Sequence, residues 1–416
     1  MNKNKMAPPI RFQGFTGDWE QRKIGDCFTE RKESMPKGEL LSVTINEGIK
    51  RFSELERHDS SNQDKSKYRK VCIGDIAYNS MRMWQGASGF SDYEGIVSPA
   101  YTVLKPHDGI DVRFVSYLFK TKDLIHVFQI NSQGITSDNW NLKFPVLSTI
   151  NIKIPEKIEE QNKIAEFLAK LDNLITLHQR KLEQQKKLKA FFLKNMFPEE
   201  GETVPRIRFK GFTGDWEQRK LEICFSLLQN NTLSRDELGY ENGLAMNVHY
   251  GDVLIKFDEC LDVSKESLPF IKNQLVADKF RNSYLKNGDV VVADTAEDET
   301  VGKCTEIMGV TNQKVISGLH TIPFRPNDKF ATGYLGFYLN SAAYHNQLIP
   351  LIQGTKVSSI SKSAMQKTVI KYPASLEEQE LIGRYFMKFD NLITYHQRKL
   401  DQLQVMKKFM LQNLFV

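Results

Sequence analysis

Residues 10–23 read IRFQGFTGDWEQRK, and residues 207–220 read IRFKGFTGDWEQRK, one difference in fourteen positions at a separation of 197. A second pair follows each copy. Residues 159–182, EEQNKIAEFLAKLDNLITLHQRKL, return at 377–400 as EEQELIGRYFMKFDNLITYHQRKL, 218 residues later. Self-similarity of this length makes the chain a duplicated half. Landmarks between the pairs recur as well. Gly74-Asp75 before IAYNS matches Gly288-Asp289 before VVVAD, Thr102 matches Thr321, and Gln133-Gly134 matches Gln353-Gly354. The separation therefore grows from 197 to 214 and then to about 220, so the second half carries its extra residues mainly before its Gly-Asp strand. Between nearly identical flanks the two variable regions share little sequence, which points to a common role for the flanks and an individual one for each variable region.

The variable regions read as mixed α and β. Short β-branched runs bounded by Gly, Pro or polar residues, at 71–78, 96–104, 150–154, 290–293 and 369–372, predict strands, and helices are expected near 112–128 and 332–348. The repeated segments after Pro155 and Pro373 differ in kind. Apolar residues fall at Ile164, Leu168, Leu171, Ile175 and Leu182, and in the copy at Ile382, Phe386, Phe389, Ile393 and Leu400, a 4,3 spacing that predicts a helix-pairing seam. No Gly or Pro interrupts the first run before Pro198. Some 42 helical residues would make a rod of roughly 60 Å. His178 and His396 fall on the same stripe with no further ligands nearby, and read as polar seam residues that fix register. Glu159, Glu160, Glu377 and Glu378 in the first turns, with Lys186, Lys187, Lys189, Lys407 and Lys408 toward the far ends, suit the helix dipole.

Composition bounds the class. With 416 residues, 40% apolar and 26% charged, the chain has material for about three domains' worth of globular structure, and no apolar run approaches a membrane span. The polar start, Met1 to Pro9, has no signal-peptide pattern, and the five cysteines, Cys27, Cys72, Cys224, Cys260 and Cys304, never fall as CxxC, so a reduced, cytoplasmic protein without a structural zinc is expected. A net charge of +6 permits an acidic partner without demanding one. Catalytic signatures are missing: no GxxxxGK[ST], GxGxxG or HExxH occurs, nor the Asn/Asp-Pro-Pro-aromatic motif with which amino-methyltransferases hold a flipped base. The acidic run Asp294, Glu297, Asp298 and Glu299 has no counterpart in the first half and reads as a loop, not a metal centre. No catalytic, metal or cofactor site is expected.

The GFTGDWEQRK opener of each half, the PxxxEEQxxI start of each long helix and the order variable region, helix, variable region, helix resemble the specificity subunit of type I restriction-modification enzymes over essentially the whole chain. The resemblance implies an α+β fold in which two mixed α/β target recognition domains are separated by two long antiparallel helices, a pseudo-twofold internal repeat. The implied division is 1–153 and 199–371 for the recognition domains, with helices at 154–198 and 372–416. It further implies a non-catalytic subunit that reads a bipartite site in double-stranded DNA for host defence. The helices would act as a coiled-coil spacer and dock two modification (methyltransferase) subunits. Restriction/translocase subunits would join through the complex, and S-adenosylmethionine and ATP would be bound by those partners. A helical scaffold that binds only protein is the alternative, and it would show no DNA sequence preference.

Base reading needs polar side chains on loops that reach a groove. After the first Gly-Asp strand, Asn79, Ser80, Arg82, Trp84 and Gln85 fall within one expected turn, and Gln133, Ser137, Asn139 and Trp140 follow in a later loop. The equivalent places in the second half hold Thr295, Lys303, Lys356, Ser358, Ser359 and Lys362. The plainer reading of each is a solvated or turn-stabilising residue, with partial core burial for the two tryptophans.

Overall fold

The duplication governs how the chain folds. A computed structural model describes residues 7–416 apart from 46, 47, 56, 57, 60, 137, 138, 242 and 355. The chain forms two compact units, Met1–Gln179 with Arg398–Val416, and Arg180–Gln397, so the boundary falls inside both long helices, Ile158–Asn195 and Leu376–Asn413.

Each unit contains a four-strand core of the same order. In the first unit Phe28–Glu30, Tyr101–Pro106, Ile76–Asn79 and Ser88–Phe90 lie side by side. In the second the sequence is Phe225–Leu227, Thr321–Pro326, Val290–Ala293 and Cys304–Met308, extended by Cys260–Asp262 on the far edge. The extra material before the second Gly-Asp turn thus supplies an added strand. Part of it also builds a second sheet of four strands that the first unit lacks in that form. Gly74 and Gly288 take φ of 89° and 88°, a left-handed turn open to glycine, which is why that landmark recurs. Asp75 and Asp289 behind them are buried and each is held by an arginine, Arg31 (2.7 Å) from just after the strand Phe28–Glu30 in the first half and Arg325 (2.6 Å) from within the strand Thr321–Pro326 in the second.

The turn also breaks the long strand expected over 71–78. Arg69–Val71 and Ile76–Asn79 belong to different sheets, and so do Gly95–Val97 and Tyr101–Pro106. Register corrects one match by a residue. Asn79 pairs with Tyr101 and Ala293 with Thr321, so Thr321 corresponds to Tyr101 and not to Thr102. The helix expected over 112–128 is two, Val112–Leu118 and Lys122–Asn131, and that over 332–348 is Tyr334–Asn340 and Ala342–His345.

The openers lock onto the helix starts. Glu20–Lys23 pairs antiparallel with Asn151–Ile154, and Glu217–Lys220 with Val369–Tyr372. Arg11 grips Glu160 with Nε and Nη2 donating to the two carboxylate oxygens (2.7 and 2.8 Å), as Arg208 grips Glu378 (2.7 and 2.9 Å). Gln161 and Gln379 each donate to the carbonyl of the preceding proline, Pro155 or Pro373, and accept from a variable-region N–H, Asp111 or Ala331. These side chains have specific partners beyond the helix dipole, and they explain why opener and helix start are duplicated together.

Within each unit the two helical segments run antiparallel. In the first, Asp172 pairs with Lys407, while Phe415 reaches Trp19, whose indole N–H points to Glu160 near the helix start. In the second, Phe197 stacks on Phe386, Phe192 lies on Phe389, and Lys189 pairs with Asp390 (2.5 Å) and Glu259 (2.8 Å). Lys189 and Lys407 thus make equivalent cross-helix ion pairs, a specific role in place of the dipole assignment. Ile164, Leu168, Leu171, Leu182, Ile382, Phe386, Phe389, His396 and Leu400 are buried, whereas Ile175, His178 and Ile393 are half-buried. No helix among the described residues is long and apolar enough to cross a membrane.

Candidate nucleic-acid interface

The segments singled out in each variable region, far apart in sequence, meet at one end of the core sheet. In the first unit the strand Ile76–Asn79 leads into a turn where the Asn79 side chain accepts from the Met81 N–H (3.0 Å), and Met83–Gln85 form a single 3-10 turn that ends at Gly86. The later segment closes on itself between Gln133 and Asn141, paired by two backbone hydrogen bonds (3.0 and 2.8 Å). The Leu142 N–H then donates to the Ser80 carbonyl (2.8 Å), and Trp84 meets Trp140 edge to face, centroids 5.2 Å apart. The second unit repeats this. Gln353 and Ser359 exchange two backbone hydrogen bonds (2.9 and 2.8 Å), the Ile360 N–H donates to the Asp294 carbonyl (2.9 Å), and Thr295 pairs with Ser359 across a two-residue ladder.

Gly134 and Gly354 have φ of 153° and 110°, and a Cβ on them would lie 2.6 Å from the Asn139 carbonyl oxygen and 2.0 Å from that of Val357. The Gln-Gly landmark is therefore a tight loop that only glycine closes. Ile135 (98% exposed) and Val357 (52%) stand on these loops without cover.

Side chains at the two sheet ends divide into presented and committed groups. Arg82, Gln133, Asn139, Lys356 and Ser359 are exposed. Ser80 is buried and its hydroxyl donates to the Ala100 carbonyl (2.8 Å), and the Gln85 side-chain oxygen is buried without a hydrogen-bond partner, so both turn inward. Trp84 and Trp140 are half-buried, the Trp84 N–H donating to the Met81 carbonyl (3.0 Å). Lys303 is half-buried and spends its ammonium on the Leu254 carbonyl (3.0 Å), Thr295 bonds Asp294 (2.8 Å), and Ser358 sits half-buried in the ladder. Lys362 is exposed and donates to the Asn230 side chain (3.0 Å). Ser137 lies outside the described residues. The acidic run forms a turn in which Asp298 accepts from the Thr300 N–H (2.9 Å), and no group of three His, Cys, Asp or Glu that could hold a metal occurs among the described residues.

Sequence reasoning missed Tyr250 and His320, which pack edge to face (5.2 Å) beside Asp294 and Thr295. Neither has a repeated counterpart or a motif to mark it.

Two sheet ends of one construction, carrying different side chains on a duplicated frame, suit the recognition of two different short sequences. The comparisons agree with that layout. The family model described as the type I restriction modification DNA specificity domain matches residues 16–187 and 246–405. The chain is 24% identical over 409 residues to the type I restriction enzyme MjaVIII specificity subunit of Methanocaldococcus jannaschii, covering 94% of this chain and 90% of that one. It is 22% identical to the putative MjaX specificity subunit of the same organism, covering 94% and 91%. The crystal structure of a type I restriction-modification S subunit from M. genitalium shares the fold, with a TM-score of 0.60 at 15% identity and 99% of both chains covered. With both copies of its repeat matched, the chain belongs to the type I restriction modification DNA specificity domain family.

Proposed function

We propose that this chain is the DNA sequence-specificity subunit of a type I restriction-modification complex and has no catalysis of its own. Each variable region reads one half of a bipartite site in double-stranded DNA. The recognition domains comprise residues 1–153 and 199–371, and the helical parts, 154–198 and 372–416, set the half-site spacing and dock two modification subunits. Restriction subunits join through the assembled complex.

The observation that carries the reading is the convergence of two remote segments at the same sheet end in both units, with divergent side chains on a nearly invariant frame. Exposed Arg82, Gln133 and Asn139 in the first unit, and Lys356, Ser359 and Lys362 in the second, are suited to base and phosphate contact. Docking is supported by exposed apolar side chains at equivalent helix positions, Leu188 and Phe191 in the second unit and Met406 and Phe409 in the first. One such pair per unit fits two identical partners.

Co-expression with a modification subunit, followed by mapping of methylated adenines across a genome, tests the reading. One bipartite motif is expected. Methylation without any motif would leave the protein-only scaffold as the better account, and methyl transfer or strand cleavage by the purified chain alone would refute a non-catalytic role.

A further inference from the structure

The second unit keeps a non-glycine side chain where the backbone favours glycine. Among the described residues His320 alone combines a side chain with positive φ, at 54°. Left-handed backbone is disfavoured for an L-residue, and such outliers persist where the surrounding structure holds them in place, often at functional sites. His320 is the last residue before the strand Thr321–Pro326. The residue in the same place in the first unit is Ala100, which has no positive φ. Both carbonyls face the segment after the Gly-Asp strand: Ala100 accepts from the Ser80 hydroxyl and His320 from the Asp294 N–H (3.1 Å). The first unit thus ties this carbonyl to the same segment through a side-chain hydroxyl and without positive φ, and the exposed imidazole is particular to the second.

That side chain is half exposed, at 48%. Its Nδ1 lies 3.5 Å from both the Asp294 carboxylate and the Thr295 hydroxyl, and its ring stands edge-on to Tyr250. A proton on Nδ1 directed at Asp294 leaves Nε2 as the acceptor of the neutral ring. A cation stands close to the same turn: Lys362 donates to Asn230, whose amide donates to the Gly318 carbonyl (3.3 Å).

Resting on the function proposed above, we infer that His320, oriented by Asp294 and Tyr250, is a specificity-determining residue of the second unit. Its Nε2 accepts from an exocyclic amino group, adenine N6 or cytosine N4, in the major groove. Lys362 supplies a neighbouring phosphate contact.

The test maps methylated adenines for complexes assembled with the full chain, wild type, His320→Gly and His320→Asn, after exchange of the variable region 221–368 has identified the half-site the second unit reads. Glycine removes the strain and the imidazole together, while asparagine tolerates positive φ. The glycine variant is expected to melt at the wild-type temperature or above it. The glycine variant should relax at least one letter of that half-site roughly tenfold and leave the other half unchanged, whereas asparagine, whose amide oxygen also accepts from an amino group, should retain part of that preference. Retention of every letter in an active glycine variant overturns the inference, and so does failure of both variants to fold, which would make His320 a structural residue. A wild-type complex with no motif would instead refute the proposed function itself, so the two failures are distinguishable.

Discussion

The Glu306 carboxylate lies wholly inside the second unit, where it accepts hydrogen bonds from the backbone N–H groups of Gly333 (2.7 Å) and Gly336 (2.9 Å). Phe90 holds the same strand position in the first unit, since it pairs with Ile76 as Glu306 pairs with Val290. Burial pushes the Glu306 carboxyl up to about 7, against the opposing effect of the N–H donors. The folded protein therefore keeps a proton that the unfolded chain releases near the ordinary carboxylate range. Between about pH 4.5 and 7 the unfolded state binds fewer protons, so stability falls as pH rises through that window. Urea unfolding should show this decline, amounting to a few kcal/mol, on the order of one per pH unit. Glu306→Gln should reduce the slope without abolishing it, because burial also raises Asp390, to about 6, against the pull of Lys189. An unchanged slope in the variant would show that Glu306 titrates normally. Nothing in the run CTEIM reveals this carboxylate, because four successive residues of that strand are buried and no alternation separates an inward from an outward face. His320 is hidden for a similar reason, since the sign of φ leaves no trace in the letters around it.

Between elements, the arginine clamps join each opener to the start of a long helix, and Glu378 at their centre in the second unit is only 1% exposed. Removing one partner of a buried pair leaves the other charge uncompensated, which costs far more than the pair itself contributes. Arg208→Ala is therefore expected to destabilise the protein by about 3 kcal/mol in urea denaturation. Arg208→Met combined with Glu378→Leu should recover most of that loss, because two apolar side chains leave no stranded charge. A single variant within about 0.5 kcal/mol of wild type would show the clamp to be dispensable. The sequence made both ends of this clamp visible as repeats and placed the glutamates in helical first turns, but spacing does not tell which distant arginine faces them. The same limit applied to Lys189 and Lys407, whose partners Asp390 and Asp172 recur at the same separation of 218. Long helices were legible because a 4,3 apolar spacing persists over many turns. Strand boundaries were not, since the Gly-Asp turn divides one apolar run between two sheets.

At the scale of the whole chain, each unit is completed by the end of a long helix that arrives from elsewhere in the sequence. The Ile207 N–H donates to the Asn195 carbonyl (2.9 Å), and Phe197 lies against Trp216. The first unit makes the same contacts between segments about 400 residues apart: the Ile10 N–H donates to the Asn413 carbonyl (2.9 Å), and Phe415 lies against Trp19. The segment 198–206 that makes the connection in the second unit should therefore span the matching gap in the first. A permuted chain in which a copy of residues 199–206 links Val416, which stands where Pro198 does, to Ile10, and which is opened between Glu200 and Gly201, retains every hydrogen bond of both clamps. The opened position is exposed, and what its opening loosens is confined to one turn, in which the Glu202 N–H donates to the Glu199 carbonyl (3.1 Å) and the Lys371 ammonium to the Glu199 and Glu202 carbonyls (2.6 and 2.7 Å). The permuted protein should melt within a few degrees of the original and, assembled with the modification subunit, yield the same bipartite methylation motif. A permuted chain that folds but reads a different motif would show that the covalent order of the two halves, and not the packing of openers on helix ends, determines which DNA is read.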